Sequence, residues 1–154
     1  MRILVVSDTH RDGYSLQKAI LEQPRAEAVI HLGDGEEEAC RMKSDFPEKM
    51  FLQVRGNCDW GSALPPEGLR TFEGKTIFYT HGNLYNVKYG TYEIKSAARA
   101  KKADVLLFGH THEALTDYED GLYIMNPGSL NGSRGTYGTL DITPAGIAMN
   151  IIRI

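Results

Sequence analysis

Ile3-Leu4-Val5-Val6-Ser7-Asp8-Thr9-His10 carries a short apolar run directly into a cluster of polar side chains. The same construction recurs four times. Ala28 to Leu32 leads into Gly33-Asp34, Met50 to Val54 into Gly56-Asn57, Thr76 to Tyr79 into His81-Gly82, and Val105 to Phe108 into Gly109-His110-Thr111-His112. Short runs rich in apolar residues read as strands, and in an open α/β sheet functional groups collect where strands end. Asp, His and Asn delivered to one edge offer carboxylate, imidazole and amide oxygen, a donor set suited to a divalent metal. A solitary Asp or Asn after a strand is ordinarily a turn former or helix cap, and a solitary His an ordinary satisfied polar group. Four of the five histidines fall in these clusters, beside Asp8, Asp34 and Asn57, and the coincidence marks a distributed metal site. The fifth, His31, lies inside an apolar run and is expected to be structural.

Between the clusters the pattern alternates strand with helix. Ser15 is placed to cap a helix running through Leu16, Ala19, Ile20 and Leu21 and ending near Pro24. Glu36, Glu37 and Glu38 open a second helical stretch through Met42; three acids there suit the macrodipole and read as a solvated first turn. A third helix is expected from Thr91 to Lys102, rich in Ala, Lys and Arg. From about Ala114 the texture turns to β. Asp120-Gly121 separates Ala114–Tyr118 from Leu122–Met125, and Pro144-Ala145-Gly146 separates Tyr137–Ile142 from Ile147–Ile152. β-α-β units first and antiparallel strands last define an α/β domain of layered sheets with helices outside.

The 154 residues fit one domain spanning 1–154, with room for a sizeable core and none for a second catalytic unit. With 42% hydrophobic and 24% charged residues the chain has the composition of a soluble globular protein. A net charge of -3, and no basic run longer than Lys101-Lys102, exclude an extended nucleic-acid-binding surface but not a small anionic substrate. The longest apolar stretches fall far short of the ~20 residues that span a bilayer, and the start lacks the features of a signal peptide. Cys40 and Cys58 make neither a disulfide framework nor a zinc-knuckle spacing, so a reducing cytoplasm is the expected compartment.

The five clusters, in this order from Asp8 to Ser129, resemble the calcineurin-like metallophosphoesterases, and within them the small phosphodiesterases of the YfcE type. The resemblance implies a four-layer α-β-β-α sandwich of two mixed sheets. It also implies two divalent cations sharing Asp34, with Asp8, His10 and His112 completing the first site and Asn57, His81 and His110 the second. Manganese is the first choice, and Ni, Fe, Co or Zn are acceptable to the same donors. Each oxygen of Asp34 is expected to take one cation, at the ~3.5 to 4 Å separation of two-metal hydrolases. His110 and His112, two apart, point the same way if the backbone there is extended. Asn126-Pro127-Gly128-Ser129 resembles the family's late loop motif, and a simple turn accounts for it equally well.

The resemblance further implies hydrolysis of a phosphodiester by a metal-bridging hydroxide. Two divalent cations, two carboxylates and a hydroxide leave the site with a net charge of about +1, which attracts a phosphate ester. Asn57 and His110 are placed to orient hydroxide and phosphate. One cluster departs from the commoner pattern: Gly56-Asn57-Cys58-Asp59 carries Cys58 where other branches have a His resembling a general acid. Either Cys58 leaves the reaction dependent on a good leaving group, or it fills space beneath Asn57 while Asp59 supplies the proton. Phosphomonoester or phosphoprotein hydrolysis, and a non-catalytic scaffold of the same fold, are the alternatives. A homodimer or homotetramer is an admissible assembly for such a chain.

Overall fold

In a computed structural model that describes residues 1–154, the first strand shows how the layers arise. Strand β1 (Arg2–Val6) alternates: Ile3 and Val5 enter one apolar cluster, Leu4 and Val6 another. Successive side chains on a strand face opposite ways, so β1 is apolar on both faces and must be covered on both. The same alternation appears in β2 (Ala28–His31), where Ala28 and Ile30 join the cluster of Ile3, and Val29 joins that of Leu4. In β6 (Val105–Leu107), Val105 and Leu107 again meet Ile3 and Val5, while Leu106 packs with Phe78, Ile94 and Ala98.

These three clusters are the seams between four layers. Helices α1 (Gly13–Glu22) and α2 (Glu36–Asp45) cover one sheet, and α3 (Tyr92–Ala100) covers the other. The remaining strands are β3 (Met50–Gln53), β4 (Glu67–Phe72), β5 (Lys75–Thr80), β7 (Leu115–Glu119), β8 (Leu122–Asn126), β9 (Thr136–Thr143) and β10 (Gly146–Arg153). The first sheet runs β10-β9-β1-β2-β3 and the second β4-β5-β6-β8-β7. Both are mixed: β1, β2 and β3 are parallel while β9 runs against β1, and β6 is parallel to β5 and β8 while β4 and β7 run against their neighbours. The expected α-β-β-α sandwich is the observed one.

Three local expectations are corrected, and one strand was not expected at all. The α1 cap is Asp12, whose carboxylate accepts from Ser15 N at 3.0 Å and from Ser15 Oγ at 2.7 Å; Ser15 is the donor in the first turn. Glu38 is not solvated. It is 4% exposed, and its carboxylate takes the Thr9 hydroxyl and the Arg11 N–H, the latter at 2.8 Å. The third helix is shorter than expected at each end. Strand β4 is unannounced in the sequence, because Glu67-Gly68-Leu69-Arg70-Thr71-Phe72 is a sheet edge with mostly exposed or half-exposed side chains and no apolar alternation. No helix is long and apolar enough to cross a membrane.

Candidate metal centre

Every polar cluster emerges at the same rim of the sandwich. Asp8 and His10 follow β1, Asp34 follows β2, Asn57 follows β3, His81 follows β5, and His110 and His112 follow β6. The first sheet therefore contributes the oxygen donors and His10, and the second contributes three imidazoles. Three overlapping groups form. Asp8, His10 and His112 lie within mutual reach, so do Asp34, His81 and His110, and a third joins His10, Asp34 and Cys58. In the first, Asp8 Oδ1 is 3.2 Å from His112 Nε2 and 3.6 Å from His10 Nε2, and the two imidazole nitrogens are 3.3 Å apart.

The second group is the more telling. His81 is fully buried, and its Nδ1–H donates to the Leu32 carbonyl at 2.7 Å, which leaves a lone pair on Nε2 in the neutral ring. That nitrogen faces Asn57 Oδ1 at 3.0 Å, His110 Nδ1 at 3.1 Å and Asp34 Oδ2 at 3.3 Å. Oxygen and nitrogen acceptors turned on one another repel unless a cation lies among them. Burial pushes His81 down, but the hydrogen bond to Asp34 and the charges of Asp8 and Asp34 outweigh it and raise the ring above its ordinary value. Asp34 is correspondingly held well below the usual carboxylate range, its burial overcome chiefly by His81. Burial, then His81 and Lys88, push His110 down.

The backbone is bent to make this rim. Ten non-glycine residues have positive φ, and Asp8, His10, Asp34, His110 and His112 are five of them. Such conformations are strained and gather at functional sites, where packing holds them. The extended geometry expected for His110 and His112 is thus corrected: φ is 71° and 62°, and Thr111 N turns back to Gly109 O at 2.8 Å, sending the two rings to different groups. Glycine is required at Gly56 and Gly109 by close approach. A Cβ at the first would overlap Asp34 Oδ1, and one at the second would overlap Ser7 Oγ.

Each carboxylate has one oxygen committed to the protein. Asp8 Oδ2 accepts from Ser7 Oγ at 2.5 Å and His110 N at 3.0 Å, and Asp34 Oδ1 accepts from Cys58 N at 2.7 Å. Oδ2 of Asp34 is 3.3 Å from His81 Nε2 and 4.0 Å from His10 Nε2, between the two sets of imidazoles. Asp59 has no such free oxygen. Oδ2 accepts from Asp34 N and Gly56 N, both at 2.8 Å, while Oδ1 accepts from Gly35 N at 3.0 Å and Glu36 N at 3.1 Å. It ties the Asn57 loop to the Asp34 loop and sits at the N-terminus of α2, where negative charge is favoured. Cys58 is exposed beside the site; burial and then Asp34 push its thiol up.

The late loop singled out in the sequence braces the site from behind: Ser129 Oγ donates to Asp8 O at 2.7 Å and Asn126 Nδ2 to Gly109 O at 3.1 Å, joined by Asn131, which the sequence did not mark, whose Nδ2 donates to Thr9 O at 2.8 Å. His31 stands where expected, 1% exposed and outside every donor group.

The rim, the fold and the donor set together define a calcineurin-like phosphoesterase: the chain matches that superfamily's domain over residues 1–144 and belongs to the family. It is 34% identical over 132 residues to the Bacillus subtilis protein named Probable metallophosphoesterase YsnB, covering 84% of this chain and 75% of that one. It is 26% identical over 148 residues to a phosphodiesterase of Methanocaldococcus jannaschii, covering 86% of each. It is also 33% identical over 101 residues to vacuolar protein sorting-associated protein 29 of Schizosaccharomyces pombe, covering 64% of this chain and 54% of that one. Among solved structures, the fold matches a predicted phosphoesterase of Streptococcus pneumoniae with a TM-score of 0.82 at 24% identity, over 99% of this chain and 88% of that one. It also matches the phosphoesterase Yfce of E. coli with a TM-score of 0.68 at 22% identity, over 92% and 88%.

Proposed function

We propose that this chain is a dinuclear-metal phosphodiesterase. The observation that carries the reading is the fully buried Nε2 of His81 facing an amide oxygen, a carboxylate oxygen and a second imidazole nitrogen, a cage of acceptors that a cation completes. Asp8, His10 and His112 would hold one cation and Asn57, His81 and His110 the other, with Asp34 shared between them. Two such ions, with manganese the first choice, would supply activated water and stabilise charge on the phosphoryl oxygens. The chain's own part is placement. Asp59 and Cys58 N hold the Asn57 and Asp34 loops together, Ser7 and His110 N aim Asp8, and Leu32 O sets the tautomer of His81. With the ions bound, water would form the new P–O bond as the bond to the alcohol breaks, and the alcohol would leave with the bonding pair and take up a proton from solvent.

Cys58 stands where the resemblance puts a His in other branches, and we read Asp59 as a positioning residue because its oxygens are already filled by backbone N–H groups. With no imidazole there, esters whose leaving group needs no proton are favoured. The test is a series of phosphodiesters of graded leaving-group acidity, assayed with added Mn²⁺ and after chelation. Bis(4-nitrophenyl) phosphate is expected to turn over much faster than alkyl esters, with activity abolished by chelation and by Asp34→Ala. A metal-loaded parent that hydrolyses none of the series overturns the reading and favours a non-catalytic scaffold; a flat dependence shows that an effective acid is already present.

A further inference from the structure

Beside the centre lies a cleft of about 650 Å³, lined by His10, Asp34, Cys58, Arg11, Glu36 and Trp60 among others. Trp60 is the only tryptophan of the chain and is 91% exposed. Tyr89 is as exposed, but Trp60 is the exposed aromatic side chain that lines the cleft beside the centre, so its indole is available to whatever enters there.

The indole is also presented on a constrained loop. Trp60 follows directly on Asp59, whose carboxylate is fixed by four backbone N–H groups. Ser62 N returns to Asp59 O at 3.3 Å, Arg55 N meets Pro65 O at 3.0 Å, and the Arg55 guanidinium holds Leu64 O at 2.9 Å. The segment is therefore closed at its base and at its tip, and the ordering cost of a ligand contact there is reduced before binding.

We infer that Trp60 is a stacking platform for a planar, uncharged heteroaromatic ring of the substrate, a nucleobase, whose phosphodiester lies at the metal centre. This rests on the phosphodiesterase reading and names its substrate class as nucleoside phosphodiesters. Charge selects the ring's character. Glu36 and Glu37 line the same cleft, and Glu37 is only weakly answered by Arg41 at 3.6 Å. A second phosphate extending over Trp60 would meet those carboxylates, whereas a base brings a polarisable face and amino groups that can donate to them. Arg11, exposed and without an ion-pair partner, lines the same cleft next to His10 and offers a positive charge to the single phosphodiester anion.

The single tryptophan makes its own emission the probe. In metal-loaded protein, AMP is expected to quench Trp60 saturably, whereas ribose 5-phosphate and inorganic phosphate bind by calorimetry without that quench. Trp60→Ala should weaken AMP by about tenfold or more and leave inorganic phosphate unchanged, and Trp60→Phe should recover most of the loss. 4-Nitrophenyl phosphate separates base recognition from stacking of any aryl group: a quench equal to that of AMP, at equal affinity, overturns the nucleobase assignment. A parent that hydrolyses bis(4-nitrophenyl) phosphate but binds AMP no better than ribose 5-phosphate overturns the platform and leaves the phosphodiesterase reading intact. A parent that neither hydrolyses that ester nor binds inorganic phosphate overturns both.

Discussion

His31 accepts the Gly33 N–H on Nδ1 at 3.1 Å and stands 3.0 Å from Thr9 Oγ1 through Nε2. Because the Thr9 hydroxyl donates to Glu38, it must accept from Nε2–H, and the ring is neutral with a single tautomer. Burial, partly offset by the charges of Glu38, Asp59 and Asp8, holds its pKa below 6.5. The unfolded chain therefore takes up a proton as pH falls through 6.5 while the folded chain does not, and stability drops over that interval until the lowered native value is passed. In metal-free protein, the Tm advantage of the parent over His31→Gln should thus narrow as pH falls below 6.5; a gap that is constant or widens would show that the native ring takes up the proton freely. The apolar neighbours of His31 made its structural role legible in sequence. Glu38, which accepts from its partner Thr9, was not legible, because a carboxylate three residues into a helix start looks solvated until Thr9 and Arg11, brought from the β1 loop, are seen to cover it.

At the scale of elements, α1 depends on a single side chain that serves two segments. Asp12 accepts from Ser15 N and Ser15 Oγ, and its Oδ2 also takes the N–H of Gly132 at 2.8 Å from the turn before β9. Loss of a cap costs about 1 to 2 kcal/mol, so Asp12→Ala should destabilise the fold by that amount in denaturant unfolding, and Ser15→Ala by less. The opposite order would return the cap to Ser15. Helices and strands with strong internal periodicity, α1, β1, β2 and β5, were readable because the apolar side chains recur within the element itself. The edge strand β4 was not: its conformation is set by pairing with β5, Phe72 to Lys75 through Glu67 to Thr80, rather than by an alternation of its own.

For the whole molecule, the metal centre is where two sheets are joined. Asp8, Asp34 and Asn57 come from the sheet of β1, and His81, His110 and His112 from the sheet of β5, so bound cations cross-link the layers. A ligand at a hundredfold excess over its Kd stabilises the native state by about 2.7 kcal/mol. Saturating Mn²⁺ should raise the Tm of chelated protein, and Asp34→Ala should forfeit most of that gain; an unchanged Tm in the parent would show that no cation joins the sheets. Apart from the edge strand β4, the sequence by itself determined the order of strands and helices and the residues delivered to the rim, since both follow from local periodicity and from polar clusters at strand ends. Only the tertiary structure decided that β1 lies between β2 and β9, with Arg2 paired to Asp141 at 2.8 Å across nearly the whole chain. It alone made Asp59 a brace and set Trp60 over the cleft. The reason is that burial, acceptor saturation and approach to a second group belong to pairs of residues distant in the chain, and no window along the sequence contains both members.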